Sequence, residues 1–174
     1  MIVRLVIAGL LGLLAACFEV GAVPFLPVWA GFRPVVPLIA LLLVSASRSR
    51  AFAFAMGAAL VLDAYTLDQF DLALVRLPLL VFVLGWIADR FLTNRSVYAT
   101  AALVVCGRAL DWLSAWAISF LAVLFNLHDT LWSLPGAPIL VLCWDVVFTS
   151  LVFLGIASFT GRFIVRPGSS YAPR

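Results

Sequence analysis

Long apolar runs make up most of this sequence, and charged residues stand almost only at the ends of these runs. Of the 174 residues, 66% are apolar and only 11% are charged. An average soluble domain is about half apolar and about one quarter charged. So little polar surface cannot cover a water-soluble globule, and disorder needs the opposite composition. The sequence therefore predicts an all-α integral membrane protein.

Charges and chain-breaking residues delimit six apolar runs, which cover residues 5–23, 35–47, 51–65, 72–88, 97–125 and 139–159. A membrane helix needs about 20 residues, so six of them use roughly 120 and leave no room for a soluble domain. We therefore expect six transmembrane helices in one domain over residues 1–162, followed by a short cytoplasmic tail over 163–174. The first run resembles a signal peptide, but the rest of the chain is equally apolar, which favours an uncleaved first span.

The second and third runs are short for membrane spans. About 15 residues of helix reach roughly 22 Å, whereas the hydrocarbon core is about 30 Å thick. A re-entrant pair is the alternative, but it would place Arg48 and Arg50 deep in the bilayer. That placement costs about 2.5–3.5 kcal/mol for each arginine. Two full spans are therefore favoured.

The arginines predict the orientation of the bundle, since the chain has no lysine. Six spans place eight arginines on one side: Arg4, Arg48, Arg50, Arg90, Arg95, Arg162, Arg166 and Arg174. Only Arg33 and Arg76 fall on the other side, which also carries most of the acidic residues. By the positive-inside rule both termini are cytoplasmic. The net charge of +3 is spread over isolated arginines, so nothing indicates nucleic-acid binding.

Two charged residues lie inside the fifth predicted span. Arg108 and Asp111 are spaced i, i+3, so they share a helix face and can pair. Asp145 lies inside the sixth span and is a further candidate partner for Arg108. Charges in a membrane face the bundle interior or a water-filled cavity. The group either locks the bundle or serves a ligand or proton pathway, and the absence of an intramembrane histidine favours the first.

Asp63 ends the third run and begins an acidic stretch with Asp68 and Asp71. Its carboxylate either caps the turn that follows or pairs with Arg76. The three aspartates do not follow the spacing of an EF-hand, so we expect a solvated acidic turn and no metal site.

Small residues recur along the first span at Ala8, Gly12 and Ala16. This spacing allows another helix backbone to approach closely. The stripe packs either against a helix of this chain or against the transmembrane helix of a partner.

Nothing in the sequence indicates catalysis. The single histidine, His128, lies in a polar loop, and no serine or cysteine stands in a recognisable nucleophile setting. Cys17, Cys106 and Cys143 lie far apart in apolar runs, where we expect them to be buried as small apolar residues. We expect no enzyme activity, no cofactor and no metal.

Short motifs along the chain resemble the MreD family, the rod shape-determining membrane proteins of bacteria. They are Phe32-Arg33-Pro34 before the second span, the basic Arg48-Ser-Arg50, the segment Gly57-Ala-Ala-Leu-Val-Leu-Asp63, and the turn over residues 91–96. The third motif is similar to the family's Gly-x-x-x-Leu-Asp signature. One departure is that Phe70-Asp71 stands where members usually have a glycine.

The resemblance implies a six-helix bundle like that of the substrate-binding (S) components of ECF vitamin transporters. It also implies a non-enzymatic role in the bacterial elongation machinery, at the inner membrane. The expected partner is MreC, through its transmembrane helix, with links to MreB, RodA and a class B penicillin-binding protein. Pro34, Gly57, Leu62 and Asp63 match the family and are expected to shape the outer side of the bundle. Anionic lipids are expected at the cytoplasmic arginines.

An ECF-type S component is the main alternative function. It has the same size and helix number, and its first-span stripe would dock on a coupling subunit. It would need an outer pocket, for which Trp29, Trp132, Asp63 and Asp129 are candidates.

Overall fold

The described part of the chain is entirely helical. A computed structural model describes residues 2–22, 25, 33–65, 72–91, 97–125 and 138–160, without the side chains of residues 157, 159 and 160. These residues form α1 (Ile2–Gly21), α2 (Val35–Ser45), α3 (Arg48–Tyr65), α4 (Ala73–Phe91), α5 (Val97–Leu124) and α6 (Pro138–Thr160). The expectation of an all-α protein with six helices is confirmed for these residues. The predicted tail over residues 163–174 lies outside them.

Three helices are long and apolar enough to cross a membrane: α1, α5 and the Pro138–Ile156 part of α6. By length and composition, this finding supports a membrane protein. Helix α2 is apolar but has only 11 residues. Helices α3 and α4 each carry three charged residues, which stand mostly near their ends. Arg48 begins α3, so the basic motif forms the first turn of that helix and not a separate turn between helices.

Helix α2 lies at the centre of the bundle. It contacts all five other helices, and seven of its residues are buried. Ile39 and Ala40 have no exposed surface and belong to the same core as Leu84 of α4 and Val104 of α5. Eleven residues of helix rise only about 17 Å, roughly half the thickness of the hydrocarbon core. One end of α2 therefore lies inside the bundle.

Helices α1 and α3 run in the same direction and touch through glycine. A Cβ added to Gly12 would overlap the carbonyl oxygen of Phe54, and one added to Gly57 would overlap the carbonyl oxygen of Gly9. The buried residues of α1 are the three of the predicted stripe, Ala8, Gly12 and Ala16. The stripe thus lies against this chain's own third helix. Close backbone approach of this kind is typical of small-residue contacts in membranes.

Gly57 sits in the middle of α3 and contacts α1, six residues before Asp63. The two residues belong to one motif in the sequence. On a helix, however, Gly57 and Asp63 are six residues and about 9 Å apart along the axis. The two residues consequently serve different contacts.

Replacing Gly12 or Gly57 with alanine is expected to destabilise the bundle by about 3 kcal/mol, because the new methyl group meets backbone that cannot rotate away. Gly9→Ala is the matched control, since its Cβ would lie 3.5 Å from the nearest atom, the carbonyl oxygen of Ala53. Chemical unfolding of the purified variants in detergent measures the difference. Equal stability of Gly12→Ala and Gly9→Ala would show that α1 and α3 do not meet in this way.

Candidate functional site

A buried guanidinium forms the centre of the candidate site. Arg108 of α5 has no exposed surface. Its Nε donates to Asp145 Oδ2 of α6 at 2.6 Å, and its Nη1 donates to Asp111 Oδ2 at 3.4 Å. The structure therefore brings together the three intramembrane charges that the sequence singled out. Arg108 pairs with both carboxylates, and its shorter contact is the one between helices.

Arg76 of α4 is the fourth member of this ion cluster. Its Nε lies 3.2 Å from Asp111 Oδ1, and both side chains are almost fully buried. The distribution of arginines predicts Arg76 on the outer side, with Asp63 as a possible partner, but the structure buries it in the ion cluster. The sequence did indicate that Arg76 is buried. It stands at helical spacing with Ala73, Leu77, Leu80 and Leu84, which form the buried face of α4.

The ion cluster also holds the chain where it enters α2. Arg108 Nη2 donates to the backbone carbonyl of Arg33 at 2.9 Å. The backbone N–H of Val35 donates to Glu19 Oε2 of α1 at 3.2 Å. Pro34 lies between these contacts, is buried and directly precedes α2. Non-helical backbone inside a membrane protein needs such partners, because no water is there to satisfy it.

Glu19 was not among the predicted site residues. Its carboxylate accepts from the start of α2, and Arg33 and Arg108 supply positive charge around it. The sequence signal was faint: a single acid near the end of the first run, before a proline-rich connection. Pairing an acid with a helix start 16 residues later depends on how the chain folds back.

The four core charges balance, with two guanidiniums facing two carboxylates. A buried ion in a membrane is tolerated when it is paired in this way. The contacts connect α4, α5 and α6 to one another and to Arg33, two residues before α2. This geometry favours the bundle-locking role over a ligand or proton pathway. Thr149 strengthens the local structure by donating to the Asp145 backbone carbonyl at 2.6 Å.

Asp63 caps the amino terminus of α4. Its Oδ1 accepts from the backbone N–H of Ala73 at 2.5 Å, and its Oδ2 accepts from that of Leu74 at 2.9 Å. Of the two roles that the sequence left open, the structure shows the cap. Leu72, just before α4, has a φ of 46°, in the left-handed region that favours glycine.

Other predicted residues lie apart from the ion cluster. Leu62 is buried in the core next to Asp63. The three cysteines are exposed on helix surfaces, so the expectation that they are buried is wrong. They occupy helix faces that point away from the bundle. Apolar side chains can be exposed on such faces, because lipid and not water surrounds them. Residues named for the outer loops lie outside the described residues: Trp29, Asp68, Phe70, Asp71, His128, Asp129 and Trp132.

Within the described ranges, no three histidine, cysteine, aspartate or glutamate residues come close enough to hold a metal ion. No protein-family model matches the chain, and comparisons with curated proteins and with solved structures find no similar protein.

Replacing Arg108 with alanine is expected to destabilise the bundle by about 3–5 kcal/mol, because it leaves Asp145 buried without a counter-charge. The double variant Arg108→Leu/Asp145→Leu keeps the Arg76–Asp111 pair and the charge balance, so we expect it to be more stable than either single variant. Protein abundance in the membrane and unfolding in detergent measure both effects. Normal abundance of Arg108→Ala would contradict the locking role.

Replacing Asp63 with alanine is expected to cost about 1–2 kcal/mol, since two N–H groups at the start of α4 lose their acceptor. Asp89→Ala is the control, because it removes a carboxylate whose ion pair with Arg48 is solvent-exposed and contributes little. Unfolding free energies of the two variants give the comparison. A larger loss for Asp89→Ala would rule out the capping role.

Proposed function

We propose that this chain is a non-enzymatic membrane scaffold of the MreD type in the bacterial cell-elongation complex. It binds the transmembrane helix of MreC in the cytoplasmic membrane and helps to position lateral cell-wall synthesis and to maintain cell shape. MreB, RodA and a class B penicillin-binding protein are the further partners that this role implies. The proposal rests on the motif resemblance described above and on the ion cluster.

The observation that carries the scaffold role is the mutual pairing of the core charges. Arg76, Arg108, Asp111 and Asp145 are directed at one another and at the backbone before α2. Such contacts hold four helices in one fixed arrangement. A rigid bundle suits a protein that keeps a partner's helix at a set depth and angle.

Six membrane spans with both termini in the cytoplasm form part of this proposal. Helices α1 and α3 begin at the same end of the bundle, and Arg48 of α3 contacts Asp89 near the end of α4 at that end. This end carries Arg4, Arg50 and Arg90 as well, which agrees with a cytoplasmic location. Arg76, the apparent exception on the outer side, is buried in an ion pair and so does not act as a loop charge.

The ECF-type S component remains the competing function. In that role the stripe of Ala8, Gly12 and Ala16 would be free to dock on a coupling subunit. Here these residues are the buried face of α1 and lie against α3. Their burial supports the scaffold, because the surface that the transporter role requires is already in use.

Co-expression with the MreC of the same bacterium tests the scaffold role. We expect a detergent-stable complex that persists when MreC is reduced to its transmembrane helix and is lost when that helix is replaced by an unrelated one. Depletion of this protein in a rod-shaped host should produce round cells. Unchanged cell shape, or a purified protein that carries a stoichiometric vitamin and binds an ECF coupling subunit, would contradict the proposal.

A further inference from the structure

An apolar groove of about 710 Å³ runs between α1 and α2, with α3 beside it. Leu14 of α1 and Leu38 of α2 line one end, and Phe54 of α3 lines its side. The groove exists because α1 is held on α3 by the glycine contacts and touches α2 only lightly. Its volume lies in the range of about 300–1,000 Å³ that is typical of ligand pockets.

Two arginines lie at the other end of this groove. Arg4 of α1 and Arg50 of α3 line it close to Ala46, just after the last residue of α2. Every other lining residue is apolar, so no carboxylate faces these guanidiniums. Within the described ranges neither arginine has an ion-pair partner. The groove is therefore apolar along its length and positively charged at one mouth.

Three other arginines of the helices show a contrast. Arg76 and Arg108 face buried carboxylates, and Arg48 pairs with Asp89. Arg48 even lines a second apolar groove of about 440 Å³ on another side of α3, together with Phe52 and Phe82. That second groove is also lined mostly by apolar residues, but the charge of its arginine is neutralised by a carboxylate. Uncompensated positive charge thus distinguishes the groove between α1 and α2 from the groove lined by Arg48.

We infer that this groove binds one anionic phospholipid of the cytoplasmic leaflet, with its phosphate at Arg4 and Arg50 and an acyl chain along α1 and α2. Guanidinium groups bind phosphate oxygens with paired hydrogen bonds. The apolar walls accept a hydrocarbon chain, and charged mouths next to membrane helices are where anionic head groups bind. The phosphate supplies the negative charge that the lining lacks. This inference rests on the proposed orientation, in which α1 begins at the cytoplasmic face.

The test uses the full-length chain purified in mild detergent and titrated with phosphatidylglycerol or with phosphatidylcholine, with bound lipid counted by native mass spectrometry. We expect one phosphatidylglycerol per chain and clear preference over the zwitterionic lipid. Arg4→Ala/Arg50→Ala should weaken binding about 30-fold, since each arginine near a lipid phosphate accounts for roughly fivefold. Arg48→Ala removes a charge at the same end, outside this groove, and should change binding less than about twofold.

A second pair of variants tests the acyl part of the site without changing charge. Leu11 and Leu10 are adjacent on α1 and similarly exposed, at 53% and 56%, but only Leu11 lines the groove. Leu11→Trp should therefore reduce binding, and Leu10→Trp should not. Thermal unfolding of all variants shows whether any loss of lipid binding comes from misfolding. Arg4→Ala/Arg50→Ala alters only side chains at the mouth of the groove.

Four results would overturn the inference. The first three are equal binding of the two lipids, an effect of Arg48→Ala as large as that of the Arg4/Arg50 double variant, and complete displacement of lipid by excess inorganic phosphate. The fourth is a dimer that buries the groove. The measurement needs neither MreC nor growing cells, so its failure would leave the scaffold role standing, and loss of the scaffold role would leave lipid binding intact.

Discussion

The contact between Arg108 and Asp145 is the interaction on which the rest of this bundle depends. A guanidinium has five N–H donors and never loses its charge in a protein, so inside a membrane it must be surrounded by acceptors. The chain supplies them from α5, α6 and the backbone carbonyl of Arg33, two residues before α2. Arg76 then balances the second aspartate from α4. Satisfying one buried cation therefore determines how four helices meet.

The short central helix follows from the same requirement. Helix α2 has only 11 residues and its first residues, Val35 and Val36, are buried, so its amino terminus begins inside the protein, where free backbone groups cost several kcal/mol each unless they find partners. Arg108 and Glu19 provide the partners for this entry. Helix α1 is anchored separately, by glycine contacts with α3. Two independent attachments leave α1 and α2 loosely packed against each other, and the apolar groove is the result.

Charge is scarce in this chain, and the structure divides it between two uses. Arg76 and Arg108 neutralise buried carboxylates and fix the bundle, whereas Arg4 and Arg50 at one end face no carboxylate of the described chain. The first group supports a rigid scaffold, and the second is suited to a lipid phosphate.

Helix number, approximate helix ends and membrane character were predictable from the sequence, because the length and polarity of each run reflect local contact with lipid. The clustering of Arg108 with Asp111 was likewise predictable from i, i+3 spacing. Only the tertiary structure decided that Arg76 belongs to the ion cluster, that Glu19 and Asp63 cap helices, and that the glycine stripe meets α3. Each of these contacts joins different helices. The sequence pattern of a helix shows which of its faces carries small, polar or charged residues. Which other helix that face contacts depends on how all the buried charges and backbone groups are satisfied together.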